Sequence, residues 1–201
     1  MSFRKEKKYR VTQHELNLLK TILLEQGMTN LYIPRQVNSI YFDTKDKNMF
    51  FDSEEGVLLR KKIRIRWYDN NQNFKLEKKI SSIEGRFKKI RKLQSINDIN
   101  SIYYYRPFDS HYGALFPTLR VSYNRSYYHI RGMRITFDEY IEYENLQNKN
   151  IVIKDPENVV EVKVPANFSD DAIQKVISHQ SSRFSKYCRG LLFSQGHMSV
   201  M

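Results

Sequence analysis

The chain of 201 residues has a single cysteine, Cys188, so an internal disulfide is excluded, and no Cys/His spacing marks a zinc cluster. Oxidative folding is unnecessary, and a reducing cytoplasmic setting is expected. Glycine (7) and proline (5) are scarce, and neither a low-complexity linker nor a solenoid-type repeat is present. That argues for one compact unit. No apolar run approaches the ~20 residues that span a bilayer. Met1 to Arg10 is charged from its fourth residue and lacks an apolar centre, so neither a membrane span nor a secretory leader is expected. Acidic residues are also in deficit: 22 Asp and Glu against 34 Lys and Arg leave a net charge of +12. Such an imbalance points to an anionic partner, whether nucleic acid, an acidic membrane surface or polyphosphate.

What is there is a folded protein's composition, 40% hydrophobic and 13% aromatic, and 1–201 is read as a single domain. Leu16, Leu18, Leu19, Ile22, Leu23 and Leu24 recur at helical spacing, with Thr12 as N-cap, Glu15 at the capping-box position and Gly27 as a stop. A second helix is expected from Ser169 through Ile177, with Asp170 and Asp171 in its first turn, and a short third over Arg183 to Leu192. Strands are expected over 3–11, 37–43, 57–68, 74–80, 86–93, 119–129, 133–140 and 159–164, which alternate or are rich in Ile, Val, Tyr and Phe. About eight strands with a few flanking helices predict an α+β fold built on an antiparallel β-barrel, with a sandwich as the alternative.

The alternation also predicts what the strands surround. Arg60, Lys62, Arg64 and Arg66 share one strand face and Ile63, Ile65 and Trp67 the other. Lys75, Glu77 and Lys79 stand opposite Phe74, Leu76 and Ile80, and Glu161 and Lys163 stand opposite Val160, Val162 and Val164. Arg4, Glu6, Lys8 and Arg10 alternate in the first strand. A single such strand is ordinarily half solvated, but several suggest charged faces converging on a central channel with helices over the apolar faces. Crowded cations repel unless carboxylates, water or a bound polyanion compensate them, and a phosphate chain suits Arg forks and Lys ammonium groups. Interspersed carboxylates suit a divalent metal held against the phosphates.

The ordered set R-K-E-K-K-Y at 4–9, S-I-Y-F-D-T at 39–44, K-I-R-I-R-W-Y at 62–68, L-E-K-K at 76–79, L-R-V-S-Y-N-R at 119–125, R-I-T-F-D at 134–138, V-E-V-K at 160–163 and F-S-K-Y at 184–187 resembles the polyphosphate polymerase domain of the vacuolar transporter chaperone (VTC) family. That family is a branch of the triphosphate tunnel metalloenzymes, and the resemblance runs from Arg4 to about Leu192. It implies a tunnel in which Lys8, Arg64, Arg66, Lys79, Lys89, Arg125, Arg134 and Lys186 bind phosphate, Lys89 in a basic run that permits more than one register. Glu161 is implied as the ligand of Mn or Mg, and Glu161, Arg64, Arg66 and Lys79 as the catalytic set. Glu6 and Glu77 are as well suited to ion pairing as to metal contact. The hydrolytic branch usually opens with two alternating glutamates, but Arg4 replaces the first here, which favours the polymerase-like branch; the lack of the phosphate-sensing domain and membrane segments of the eukaryotic complexes implies a stand-alone, prokaryotic form.

The expected function is therefore metal-dependent phosphoryl transfer on polyphosphate, triphosphate or ATP, polyphosphate synthesis from ATP first. A tunnel triphosphatase or polyphosphatase, a non-catalytic polyphosphate-binding module and a single-stranded nucleic-acid-binding barrel are the alternatives. The last is disfavoured by carboxylates on the basic strand faces and by the lack of a nucleic-acid motif. Asp43 and Asp138 end strand-like runs, where Asp usually serves a turn, and stay outside the expected site, as do the five histidines and Cys188.

Overall fold

Strand β1 (Arg4–Val11) ends at Thr12, whose hydroxyl accepts from the Glu15 N–H at 3.2 Å while the Glu15 carboxylate accepts from the Thr12 N–H at 2.7 Å. This is the reciprocal capping box expected of the sequence. Helix α1 (Gln13–Glu25) buries Leu16, Leu19 and Leu23 and stops before Gly27, whose φ of 90° suits a residue without Cβ. Leu18, Ile22 and Leu24, equally apolar, face solvent. This computed structural model describes residues 4–147 and 151–196.

Next come β2 (Thr29–Asp43), α2 (Asn48–Glu55), β3 (Arg60–Tyr68), β4 (Asn71–Ser82), β5 (Gly85–Lys92) and α3 (Ile99–Tyr104). A short hairpin of β6 (Phe108–Asp109) and β7 (Gly113–Ala114) leads into β8 (Phe116–Ile130), β9 (Met133–Asn145), β10 (Val152–Lys154) and β11 (Asn158–Pro165). Helices α4 (Asp170–Gln174) and α5 (Lys186–Ser194) come last. All eight expected strands are present, though β2 begins at Thr29 instead of Val37. The sequence pattern does not announce α2 and α3, because eight and six residues hold too few turns to display a helical period. Among the described residues no helix is long and apolar enough to cross a membrane.

The strands pair antiparallel in the order β1-β11-β9-β8-β2-β3-β4-β5, with β10 added beside β9. The expected α+β fold on an antiparallel barrel is therefore observed, as a sheet curled into a half-barrel. Its terminal strands, β1 and β5, share no ladder among the described residues.

Side-chain parity gives the sheet two different faces. On the outer face, α1 and the α4 segment cover Tyr9, Val11, Ile135, Phe137, Val160 and Val162. A second outer cluster joins Ile40, Phe42, Ile63, Ile65, Trp67 and Phe74 to Ile96 and Ile102. The third cluster lies on the inner face, where Tyr187, Cys188, Leu191 and Phe193 of α5 pack on Tyr41, Leu119, Val121, Ile141 and Tyr143. Charge therefore does not line the whole interior: α5 fills one end with apolar side chains and leaves the rest as a trough. Gly190 makes this possible, because a Cβ there would lie 2.5 Å from the Tyr143 ring and 2.7 Å from a Leu119 methyl.

Candidate active site

One wall of the trough is built from β2, β3, β4 and β5. Arg64 and Arg66 point inward beside Tyr41 and Ser39 of β2, while Ile63 and Ile65 belong to the outer core. Arg64 donates from Nε and Nη2 to Glu77 Oε2 at 2.8 and 2.5 Å and from Nη1 to the Tyr41 hydroxyl at 2.7 Å. Arg66 donates to Ser39 Oγ at 3.2 Å and to the Tyr123 hydroxyl at 3.1 Å, and lies 3.9 Å from Glu77. Lys88 of β5 reaches the other Glu77 oxygen at 2.5 Å. Burial opposes ionisation of Glu77, but Arg64, Arg66 and Lys88 outweigh it and hold the carboxyl at about 2. Both arginines are thus fixed in rotamer by neutral and anionic acceptors before any ligand arrives.

The facing wall comes from β1, β11, β9 and β8. Lys8, Glu161 and Thr136 stand side by side across three strands. The Lys163 ammonium contacts one Glu161 oxygen and lies 3.7 Å from Glu6, which is itself 3.4 Å from Lys8. Arg125 grips Asp138 with Nε and Nη2, the latter at 2.6 Å, and lies 3.6 Å from Glu161. Lys186, in the first turn of α5, donates to Asp138 and sits 4.4 Å above the Tyr123 ring. Burial would raise the Glu161 carboxyl, but Arg125, Lys163 and Lys8 hold it well below the usual range. Asp138 is likewise depressed: Arg125 and Lys186 overcome its burial and the repulsion of Glu161. The Arg134 Nε is buried without a hydrogen-bond partner among the described residues.

Lys79 senses both walls. Removal from water, Arg64 and Lys8 push its ammonium down to about 7, against the partial support of Glu6 and Glu161. The residue keeps solvent exposure along its side chain, so water screens part of that repulsion. The influence of Lys8 on β1 and Glu161 on β11 on a cation of β4 agrees with charged faces that converge, as alternation predicts.

Of the residues singled out from sequence, Lys8, Arg64, Arg66, Lys79, Arg125, Arg134, Lys186, Glu161, Glu6 and Glu77 all belong to this inner constellation. Lys89 does not, which is a correction. Paired with Lys78, it lies on the outer face, and the inward position opposite Lys79 belongs to Lys88. A one-residue slip in a continuous basic run exchanges the faces. Asp138, expected to serve a turn, is instead fully buried at the centre of the basic cluster. Its parity with Arg134 and Thr136 in R-I-T-F-D is the signal that could have placed it. Asp43 does have the local role expected of it, accepting from the Thr44, Met49 and Phe50 N–H groups and from the Tyr187 hydroxyl. Lys62 and Lys163, which share the alternating faces seen in the sequence, and the aligning Tyr41 and Tyr123 were not singled out.

The donor set for a divalent metal is narrow: no group of three or more His, Cys, Asp or Glu side chains able to hold a metal occurs among the described residues. Glu161 and Glu6 nevertheless share one cation already, the Lys163 ammonium. Two carboxylates fit a hard cation that brings substrate oxygens and water for its other positions. Glu77, gripped by Arg64 and Lys88, fits less well.

The VTC domain family model matches residues 3–102 and 82–194. A search of curated proteins by sequence finds no match. Among solved structures, a "putative adenylate cyclase" from Bacillus halodurans is similar at 14% identity with a TM-score of 0.59, over 92% of this chain and 94% of that one. A second protein so described, from Vibrio parahaemolyticus, is 13% identical with a TM-score of 0.56, over 94% and 98% of the two chains. A "putative adenylyl cyclase" from Hippeastrum, described as having a dominant triphosphatase activity, is 14% identical with a TM-score of 0.56, over 98% of each chain. At these identities the likeness is one of fold.

Proposed function

The chain belongs to the VTC domain family, and from that premise we propose that its trough binds a phosphate chain and transfers the terminal phosphoryl group of ATP to it, making polyphosphate. The observation that carries this is the excess of cations over carboxylates on converging faces, with Arg64, Arg66, Arg125 and Arg134 directed inward and Lys79 already destabilised as a cation. A polyanion relieves that repulsion, and Arg forks match phosphate oxygens in pairs.

In this reading Tyr41, Ser39 and Glu77 hold Arg64 and Arg66 in fixed orientations, so that little reorganisation is needed as charge builds on the transferred group. Lys79 and Lys88 add ammonium charge on the same wall, and Arg125 and Lys186, both held by Asp138, add charge with Arg134 on the facing one. Glu161 and Glu6 would hold a Mn or Mg ion, which would supply positive charge to offset that of the phosphate. The apolar packing of α5 closes one end of the trough.

The test is to incubate purified protein with ATP and Mn or Mg and to follow polyphosphate, ADP and free phosphate separately. Polymer with ADP is the expected result. Free phosphate without polymer would make the protein a hydrolase, and tight polyphosphate binding without turnover would make it a binding module.

A further inference from the structure

Strand β5 reads G-R-F-K-K-I-R-K, five cations in eight positions and no carboxylate. Among the described residues it is hydrogen-bonded on one side only, to β4, and so forms a rim of the half-barrel. Its register divides the charges. Lys88 stands opposite Lys79 on the trough face, while Lys89 and Arg91 stand opposite Lys78 and Leu76 on the outer face. All three are exposed. Lys89 makes no ion pair among the described residues, and Arg91 makes one neutral contact, to the Tyr105 hydroxyl at 3.2 Å. Asp109 on the outer face is already held by Lys61 and Lys78. Lysines on a rim strand also deter edge-to-edge pairing, but a few charges on one face achieve that. Charge of one sign on both faces does more: it carries the positive potential of the trough over the rim without a break.

We propose that β5 is an outer track for a phosphate chain longer than the trough, which bends over the rim from Lys79 and Lys88 to Lys89 and Arg91. The occupant follows from charge: a flexible polyanion already bound inside emerges beside β5, where Lys88 is shared with Glu77 but Lys89 and Arg91 have no carboxylate partner among the described residues. The inference rests on the phosphate-binding reading of the trough. Its test compares equilibrium binding of tripolyphosphate and of a long-chain polyphosphate by wild-type protein and by the Lys89→Gln/Arg91→Gln double variant across a salt series, with melting temperature as a fold control. The double variant should bind tripolyphosphate like wild type, weaken long-chain binding about tenfold and flatten its salt dependence. Lys89→Gln alone, which keeps the Arg91–Tyr105 contact, should show part of the effect. Unchanged long-chain affinity overturns the track, as does an equal loss for both ligands, which would assign the two cations to the general field of the trough. Loss of binding to phosphatidylserine vesicles without loss of long-chain binding overturns it in favour of a membrane surface. A wild-type protein that binds neither chain overturns the trough reading, and the track with it.

Discussion

Lys79 is the residue whose chemistry depends most on what the trough contains. In the empty protein its pKa lies at about 7, below its ordinary value, so its charge costs folding free energy below about 7 and that cost fades as pH rises toward the normal lysine range. A bound phosphate chain reverses the local potential. Binding at about pH 8 should therefore draw a proton onto Lys79, read by calorimetry in buffers of different ionisation enthalpy. Lys79→Met should abolish that uptake and weaken binding, yet raise the melting temperature of the ligand-free protein at about pH 6. A lower melting temperature would instead make Lys79 a net partner of Glu6 and Glu161. Arg66→Ala removes a pre-oriented fork and should weaken tripolyphosphate binding by roughly 10–100-fold. Glu161→Gln should leave that binding largely intact but abolish metal-dependent turnover, with circular dichroism to confirm folding. Near-normal turnover would reduce Glu161 to an ion-pair partner of Lys163 and Arg125.

At the scale of elements, the position of α5 is set by one missing methyl group. Gly190→Ala forces a Cβ against the Tyr143 ring and Leu119, neither of which is a flexible polar tip, so the helix must lift. Overpacking of this kind costs about 1–3 kcal/mol. Because Lys186 and Tyr187 ride on the same helix, the variant should also loosen the Lys186–Asp138 and Tyr187–Asp43 contacts and weaken phosphate binding, measured by denaturation and titration of the same sample. A variant as stable as wild type would mean that α5 has slack.

Most of the strands are legible because they have two faces of opposite character, as in Arg60–Tyr68. Strand β9 was harder. Tyr140, at φ 53°, marks a bulge that takes one extra residue between Asp138 and Ile141. The bulge turns both even-numbered Asp138 and odd-numbered Ile141 and Tyr143 to the inside, so simple alternation breaks at that point. Register across β5 was hidden for a different reason: Arg86 to Lys92 is basic on both faces, and parity has nothing to contrast. The tyrosines that align Arg64 and Arg66 come from β2 and β8, and only the strand order brings them there.

Across the whole molecule, acid should act through the trough. Glu77, Glu161 and Asp138 all have folded pKa values below their ordinary ones, so their contribution is complete above the normal carboxylate range and is lost as pH falls from about 4.5 to about 2 for Glu77. Stability followed by denaturant titration should drop steeply over that window. At neutral pH, tripolyphosphate at about 100 times its Kd should add about 2.7 kcal/mol to the stability of the fold. Single-stranded DNA at matched phosphate concentration and physiological salt should add much less. Equal shifts would favour nucleic acid as the partner.

The terminal strands β1 and β5, which share no ladder among the described residues, leave the curled sheet with two margins. In a closed barrel, strand number and stagger together fix the bore. A sheet with two free margins has no such constraint, so it behaves as a C-shaped clip whose gap is set by the balance of forces across it. Like charges on opposing jaws spread the clip, and a polyanion between them draws it shut. On the phosphate-binding reading the diameter of the trough is a property of the protein together with its cargo, and one sequence would grip phosphate chains with different amounts of attached water without breaking a hydrogen bond of its sheet.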